Sequence, residues 1–152
     1  MRRVISLCCV FALLMSTLCI DVAAMGMQGT EVVEYFEDGS YCVIALEVEC
    51  GRAAGTKNGT KNYSYYSGDN KLLWTVSLTG TFTYSGITST CTASNVRITI
   101  YNDSWYTEYK ASHMSANSAL GEASMCRKIL GVTVEKRIVE LTLTCDVDGN
   151  LS

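Results

Sequence analysis

Acidic side chains are one set of residues in this sequence whose type and spacing are compatible with catalysis. Two carboxylates that face one cleft can act as acid and nucleophile in glycoside hydrolysis. Six acidic residues follow one another over one predicted hairpin: Glu31, Glu34, Glu37, Asp38, Glu47 and Glu49. Because this spacing does not define a concave site, we keep a small secreted hydrolase that uses the hairpin as an alternative function only.

The single histidine and the C-terminal aspartates do not form a recognisable metal site or catalytic triad. His113 is the only histidine, so no second imidazole completes a zinc site and no triad can be assembled around it. Asp146 and Asp148 begin like a calcium loop, but that loop needs twelve positions and a closing glutamate, and the sequence ends at Ser152. We therefore predict no metal, no cofactor and no catalytic residue.

Aromatic side chains are the better candidates for ligand contact, because flat amphipathic rings bind sugars and protein partners at low entropic cost. Strand packing alone accounts for most aromatic residues in a chain of this kind. From the aromatic residues at positions 63–66, 74 and 105–109 we select Tyr65 and Trp105 as candidate ligand-binding residues.

The elements that must position these residues are strands. After residue 24, threonine, serine, valine, isoleucine and tyrosine alternate with a period of two, and no window shows convincing helical spacing. Eight strands are predicted, at residues 31–36, 41–50, 63–66, 72–84, 92–101, 105–114, 118–130 and 132–146. Short strands joined by turns such as Asp38-Gly39 predict an all-β fold, an antiparallel β-sandwich, with a small barrel as the alternative.

Two local features qualify this pattern. Gly80 interrupts the apolar face of residues 72–84 without a change of phase, which predicts a bulge or a close backbone approach. Residues 51–62 contain three glycines, three positive charges and no large apolar side chain. We expect that segment to be a mobile loop, because it cannot bury enough surface to offset its ordering.

The first 24 residues have the pattern of a cleavable secretory signal peptide. Arg2 and Arg3 precede an apolar run over residues 4–20, and Val22 and Ala24 suit a signal peptidase that cuts after Ala24. The run is shorter than the roughly 20 residues of a membrane-spanning helix, so a retained anchor is the less favoured alternative. We predict a signal peptide over residues 1–24 and one secreted domain over residues 25–152, extracellular or at the cell surface.

Charge narrows the choice of partners. Cleavage removes Arg2, Arg3 and Asp21 and leaves 10 basic against 14 acidic side chains. An acidic domain without a basic patch gains nothing from counterion release on nucleic acid, and it lacks a polybasic membrane signal. The expected partner is an unknown protein or glycan. We do not expect the domain to bind nucleic acid or a membrane.

Five cysteines follow the predicted cleavage site: Cys42, Cys50, Cys91, Cys126 and Cys145. Outside the cytoplasm such residues commonly form disulfides. Cys91 lies at the start of one predicted strand and Cys145 lies at the end of the last. A disulfide between them would close a long loop and stabilise the folded state by roughly 4 kcal/mol. Cys42 and Cys50 lie about 26 Å apart along one strand, out of bonding reach. We predict a Cys91–Cys145 disulfide and leave the other three cysteines open.

Three stretches carry a resemblance to a known family. They are residues 73–84, 91–94 and 141–145, with weaker support from residues 33–40 and 54–60. The chain resembles a family of small secreted proteins of unknown function from gut-type Firmicutes, similar to those of Clostridia. The resemblance implies export and the same pair, Cys91 and Cys145, but no activity.

These observations together predict a non-enzymatic, extracellular or cell-surface domain that works by binding. Export, strand architecture and the lack of a convergent acid, base, nucleophile or metal set motivate that prediction. An antagonistic or immunity-type protein is a further alternative, in which exposed aromatic residues and the mobile loop engage a partner and the odd cysteine is available for a covalent link.

Overall fold

Strands occupy most of the chain that the computed structural model describes, which is residues 25–49 and 55–152. The predicted signal peptide and Cys50 lie outside those residues. Across the described ranges, no helix has the length and apolar character that crossing a membrane requires. The eight strands are β1 (Met25–Tyr35), β2 (Tyr41–Glu49), β3 (Thr56–Tyr66), β4 (Leu72–Tyr84), β5 (Ser89–Ile100), β6 (Trp105–Ser115), β7 (Ser118–Ile129) and β8 (Val132–Thr144).

The strands form two antiparallel sheets, and within each sheet every strand is hydrogen-bonded only to strands that precede or follow it directly in the sequence. The larger sheet has the order β1-β2-β3-β4-β5, and the smaller has the order β6-β7-β8. The smaller sheet lies over β3, β4 and β5, and its described backbone does not approach β1 or β2. The predicted all-β sandwich is confirmed, and β1 and β2 extend beyond the smaller sheet.

The core lies between β4 and β7 because their inward side chains complement each other in size. Trp74, Leu78 and Phe82 on β4 are fully buried, as the alternation of this strand predicts. The facing side of β7 carries Ala119 and Ala123, both buried. Small residues opposite large ones let the sheets interdigitate at the density of a protein interior.

Gly80 itself pairs in register with Gly59 and Ser94, so no bulge lies at this residue. The pairing of β4 with β5 shifts by one residue between Thr81 and Phe82, which is a β-bulge. A side chain at Gly80 would also collide with the Phe82 ring, whose Cζ lies 2.7 Å from the position of an added Cβ. Glycine at this position therefore lets the Phe82 ring lie against the backbone, which is the close approach that was the alternative to a bulge.

The mobile loop predicted over residues 51–62 is wrong for its second half. β3 begins at Thr56 and pairs with β2 on one side and β4 on the other, so its backbone hydrogen bonds are satisfied along both edges. Gly59 leaves room there for the Leu151 side chain, which occupies the space that a Cβ would fill. Thr60 and Thr79 add a cross-strand hydrogen bond of 2.9 Å between their hydroxyl groups.

The C-terminal residues fold back onto the domain. The Asp146 carboxylate accepts hydrogen bonds from the backbone N–H groups of Asp148 (2.9 Å) and Asn150 (2.8 Å). A hydrogen bond from the Asn150 side chain, together with these two backbone bonds, lowers the pKa of Asp146. The turn brings Leu151 into a bridge with Cys145 and buries it in the core.

Candidate functional site

Two hairpin turns and the β5–β6 connection between the sheets gather beside the end of β7, at one end of the sandwich. The β1–β2 and β3–β4 turns touch there, since Gly39 lies against Gly68, and the Lys128 N–H donates to the Ser104 carbonyl of the β5–β6 turn at 2.8 Å. A cleft of about 330 Å³ opens between them. We call it the end cleft; its polar lining includes Asp38, Ser67, Asp69, Lys71, Ser104 and Arg127.

Short polar side chains shape these turns. Asp38 accepts a 3.0 Å hydrogen bond from the Ser40 backbone N–H, and Gly39 between them has a φ of 80°. The hydrogen bonds from the Ser40 side chain and backbone lower the pKa of Asp38. Asn102 accepts a 2.9 Å bond from the Ser104 N–H in the same way. The cleft is therefore rimmed by locally closed turns.

Tyr65 and Trp105, the two candidate ligand-binding residues, both line the end cleft. Their rings meet edge to face, with centroids 5.4 Å apart, and Trp74 lies behind them, 5.1 Å from Tyr65. Tyr65 is only 2% exposed and Trp105 only 4%. The two rings form the floor of the cleft and are not an open stacking surface. Their contact with a ligand stays a prediction.

A network of polar groups holds this floor in place. The Tyr65 hydroxyl donates to Ser40 Oγ at 2.9 Å and lies 3.4 Å from Glu135 Oε1. Arg137 pairs with Glu135 at 2.7 Å and stacks over the Phe36 ring at 3.7 Å. Burial raises the pKa of the Tyr65 hydroxyl, so it is a neutral donor at physiological pH.

Arg127 lines the cleft and has hydrogen-bond donors that no described residue occupies closely. Its Nη1 lies 3.8 Å from Glu135 Oε2, a separation too long for a strong hydrogen bond. Its Nε is buried and has no acceptor among the described residues. The Arg127 side chain is nevertheless 42% exposed, so its terminal guanidinium nitrogens are the donors that a molecule bound in the cleft could reach.

The acidic patch of the first hairpin does not converge on this cleft. Of its six residues only Asp38 lines the cavity, and Glu47 instead accepts a 3.0 Å hydrogen bond from Asn62 on the neighbouring strand. The cleft's second carboxylate is Asp69, from the β3–β4 turn. His113 is exposed on β6. The described residues contain no group of three metal-ligating side chains.

A column of tyrosines was not singled out from the sequence. Tyr35, Tyr41 and Tyr66 pair across β1, β2 and β3. The rings of Tyr41 and Tyr66 stack with centroids 5.0 Å apart, and Tyr35 at the edge is 74% exposed. The Tyr41 hydroxyl donates to Asn70 of the β3–β4 turn at 3.2 Å. The column thus ends beside a turn that rims the cleft.

The four cysteines in the described ranges are buried free thiols. Cys91 and Cys145 flank the β6–β7 turn, where their N–H groups donate to the carbonyls of Ala116 (2.8 Å) and Asn117 (3.0 Å). The predicted disulfide between them is therefore not formed in this structure, although both residues border the same turn. The pairing stays a prediction.

Cys42 makes the stability of the fold sensitive to alkaline pH. Burial raises the pKa of its thiol from 9.0 to about 11. A raised folded pKa contributes stability that is complete below pH 9 and is lost as the pH rises towards 11. We expect the free energy of unfolding, measured with urea, to fall over that range, and to fall less in Cys42→Ala. The matched variant Cys126→Ala removes a different buried thiol and keeps that of Cys42, so its decrease should exceed that of Cys42→Ala. Equal decreases in the two variants would contradict the assignment.

Comparison of the chain with protein-family models, curated proteins and solved structures finds no match. The resemblance to small secreted Firmicutes proteins therefore stays a prediction. The geometry of the end cleft is the basis for a functional proposal.

Proposed function

We propose that this protein is a secreted, non-enzymatic binding domain that holds a small polar ligand in the end cleft. The observation that carries the proposal is the convergence of side chains from the β1–β2 turn, the β3–β4 turn, the β5–β6 connection and β7 around one cavity. The Arg127 guanidinium reaches this cavity, and only a 3.8 Å ion pair within the described chain occupies its donors. A volume of about 330 Å³ is at the lower end of the range found for small-molecule sites. The buried rings of Tyr65 and Trp105 give the cavity a fixed shape, and the polar side chains around it can form hydrogen bonds with a ligand.

The lining favours a ligand that both donates and accepts hydrogen bonds. Lys71 and Arg127 supply donors, whereas Asp38 and Asp69 supply acceptors. A sugar residue at the end of a glycan has this character, because each of its hydroxyl groups does both. The exposed ring of Tyr35, in the column linked to the β3–β4 turn, offers an apolar surface for a further sugar.

Arg127→Gln should weaken glycan binding by about 10-fold to 100-fold, because hydrogen bonds from a charged donor contribute about 1.5–3 kcal/mol. A glycan array of the purified protein would identify a ligand, and calorimetry would give its Kd for each variant. Arg97→Gln is the matched control, because Arg97 is exposed on β5 and does not line the cleft. Binding that is reduced equally by both substitutions, or by neither, would refute the cleft as the site.

A further inference from the structure

One edge of β8 is unpaired over its middle. In the described chain β8 joins the smaller sheet through β7 alone. At its C-terminal end, Thr144 exchanges hydrogen bonds of 2.9 and 3.0 Å with Ser152, and the Thr142 carbonyl accepts one from Lys61 Nζ. Alternate residues of an antiparallel strand direct both backbone groups to the same edge. Ile138 and Glu140 therefore present their N–H and C=O groups to the open edge.

Strands β1 and β2 of the larger sheet project beside this edge, because the smaller sheet does not cover them. We call this two-strand surface the ledge. The strand pairing places Ile44 and Leu46 of β2 on the face that carries the core residues of β4. Both side chains remain half-buried, since the smaller sheet does not extend over β1 or β2. Glu31 and Glu34 of β1 pair with Ile44 and Cys42, so they belong to the same face and are exposed. The ledge is therefore apolar along β2 and acidic along β1.

We propose that an extended segment of a partner protein, alternating basic and apolar residues, adds to β8 as a fourth strand. Its backbone would pair with Ile138 and Glu140, as in other cases of strand addition to a sheet edge. Basic side chains on its inner face cover Ile44 with their aliphatic stems and bring their charges to Glu31 and Glu34. Apolar side chains on its outer face lie beside Ile138, whose side chain is 71% exposed.

The width of the ledge excludes a second copy of the chain as the occupant. Two copies joined β8 to β8 would each bring their own β3 beneath β8, because β8 lies over β3 and β4. That position beside the edge is already taken by β2 and β1 of the first copy. Strands lie about 4.8 Å apart in a sheet, so a two-strand ledge accommodates one or two added strands and no second sandwich.

The probe is a fluorescent heptapeptide that alternates lysine and valine, compared with one that alternates glutamate and valine. We expect the purified protein to bind the lysine peptide only, and to show amide NMR shifts at Ile138 and Glu140. The double variant Glu31→Lys, Glu34→Lys should raise the Kd about 5-fold to 10-fold, in keeping with partly exposed ion pairs. The control double variant Glu37→Lys, Glu49→Lys changes the net charge equally on the same hairpin and should change the Kd less than about twofold.

Backbone pairing is tested with the unmodified protein, so that no variant has to fold. Methylating the peptide nitrogens of one alternate set should abolish binding, and methylating the other set should leave it, since only one set faces β8. No binding of the lysine peptide, equal effects of the two double variants, or equal effects of the two methylated sets would each overturn the proposal. So would a concentration-dependent dimer with NMR shifts at Ile138, because that would make a second copy the occupant.

Discussion

Trp74→Ala is expected to lower the free energy of unfolding by about 3–5 kcal/mol, the cost of removing a buried aromatic side chain. Trp74 is fully buried, and its ring centroid lies 5.1 Å from that of Tyr65, 5.7 Å from that of Trp105 and 6.0 Å from that of Tyr63. Truncation leaves a void under the floor of the end cleft. Domains are usually stable by only about 5–15 kcal/mol, so the loss is a large share of the total.

Urea denaturation followed by circular dichroism measures this loss. Tyr35→Ala is the matched control, because it removes a large but exposed ring and should change the free energy of unfolding by about 0.5 kcal/mol or less. The same Trp74→Ala protein should also lose ligand affinity, since Tyr65 and Trp105 pack on Trp74. A decrease in stability no larger than that of the control would show that this aromatic cluster is not the centre of the core.

Gly121→Val should destabilise the protein by about 1–3 kcal/mol or more, because the sheets meet too closely at this position for a side chain. A Cβ there would lie 2.6 Å from Val96 Cγ2 and 3.0 Å from Leu78 Cδ1. Both neighbours are buried, and the β-branched Val96 has few alternative rotamers. The two sheets would have to separate to admit the new side chain.

Glu122→Val is the control for that experiment. Glu122 is the next residue of β7, so its side chain lies on the opposite face of the sheet, away from the core. Thermal denaturation should show a lower Tm for Gly121→Val and little change for Glu122→Val. Equal Tm values for Gly121→Val and the unmodified protein would mean that the sheets can move apart without cost.

Strand positions could be predicted from the sequence because period-two alternation and turn residues are local signals. β4 is the clearest case, with its apolar face predicted from Trp74 to Phe82 and found buried. The first half of β3 could not be predicted in this way. Its polar residues become a strand only because β2 and β4 pair with both edges and Leu151, from the far end of the chain, covers Gly59.

The candidate site was predictable in part. Tyr65 and Trp105 were selected by residue type, and the structure brings both to the end cleft. Asp69 and Lys71 belong to the β3–β4 turn and Arg127 belongs to β7. These residues carry no motif, so no sequence pattern singles them out. Only the way in which the two sheets stack determines which turns become neighbours, and residue types alone do not encode that geometry.

The strictly sequential order of strands in both sheets has a consequence for how the chain folds. Each β-strand hydrogen-bonds to the strand before or after it, so every ladder closes over a short stretch of chain and costs little loop entropy. Sandwiches with long crossed connections fold slowly for the opposite reason. We therefore expect refolding after dilution from urea to be fast for a β-sandwich, with hairpins forming first and the docking of the two sheets as the slow step.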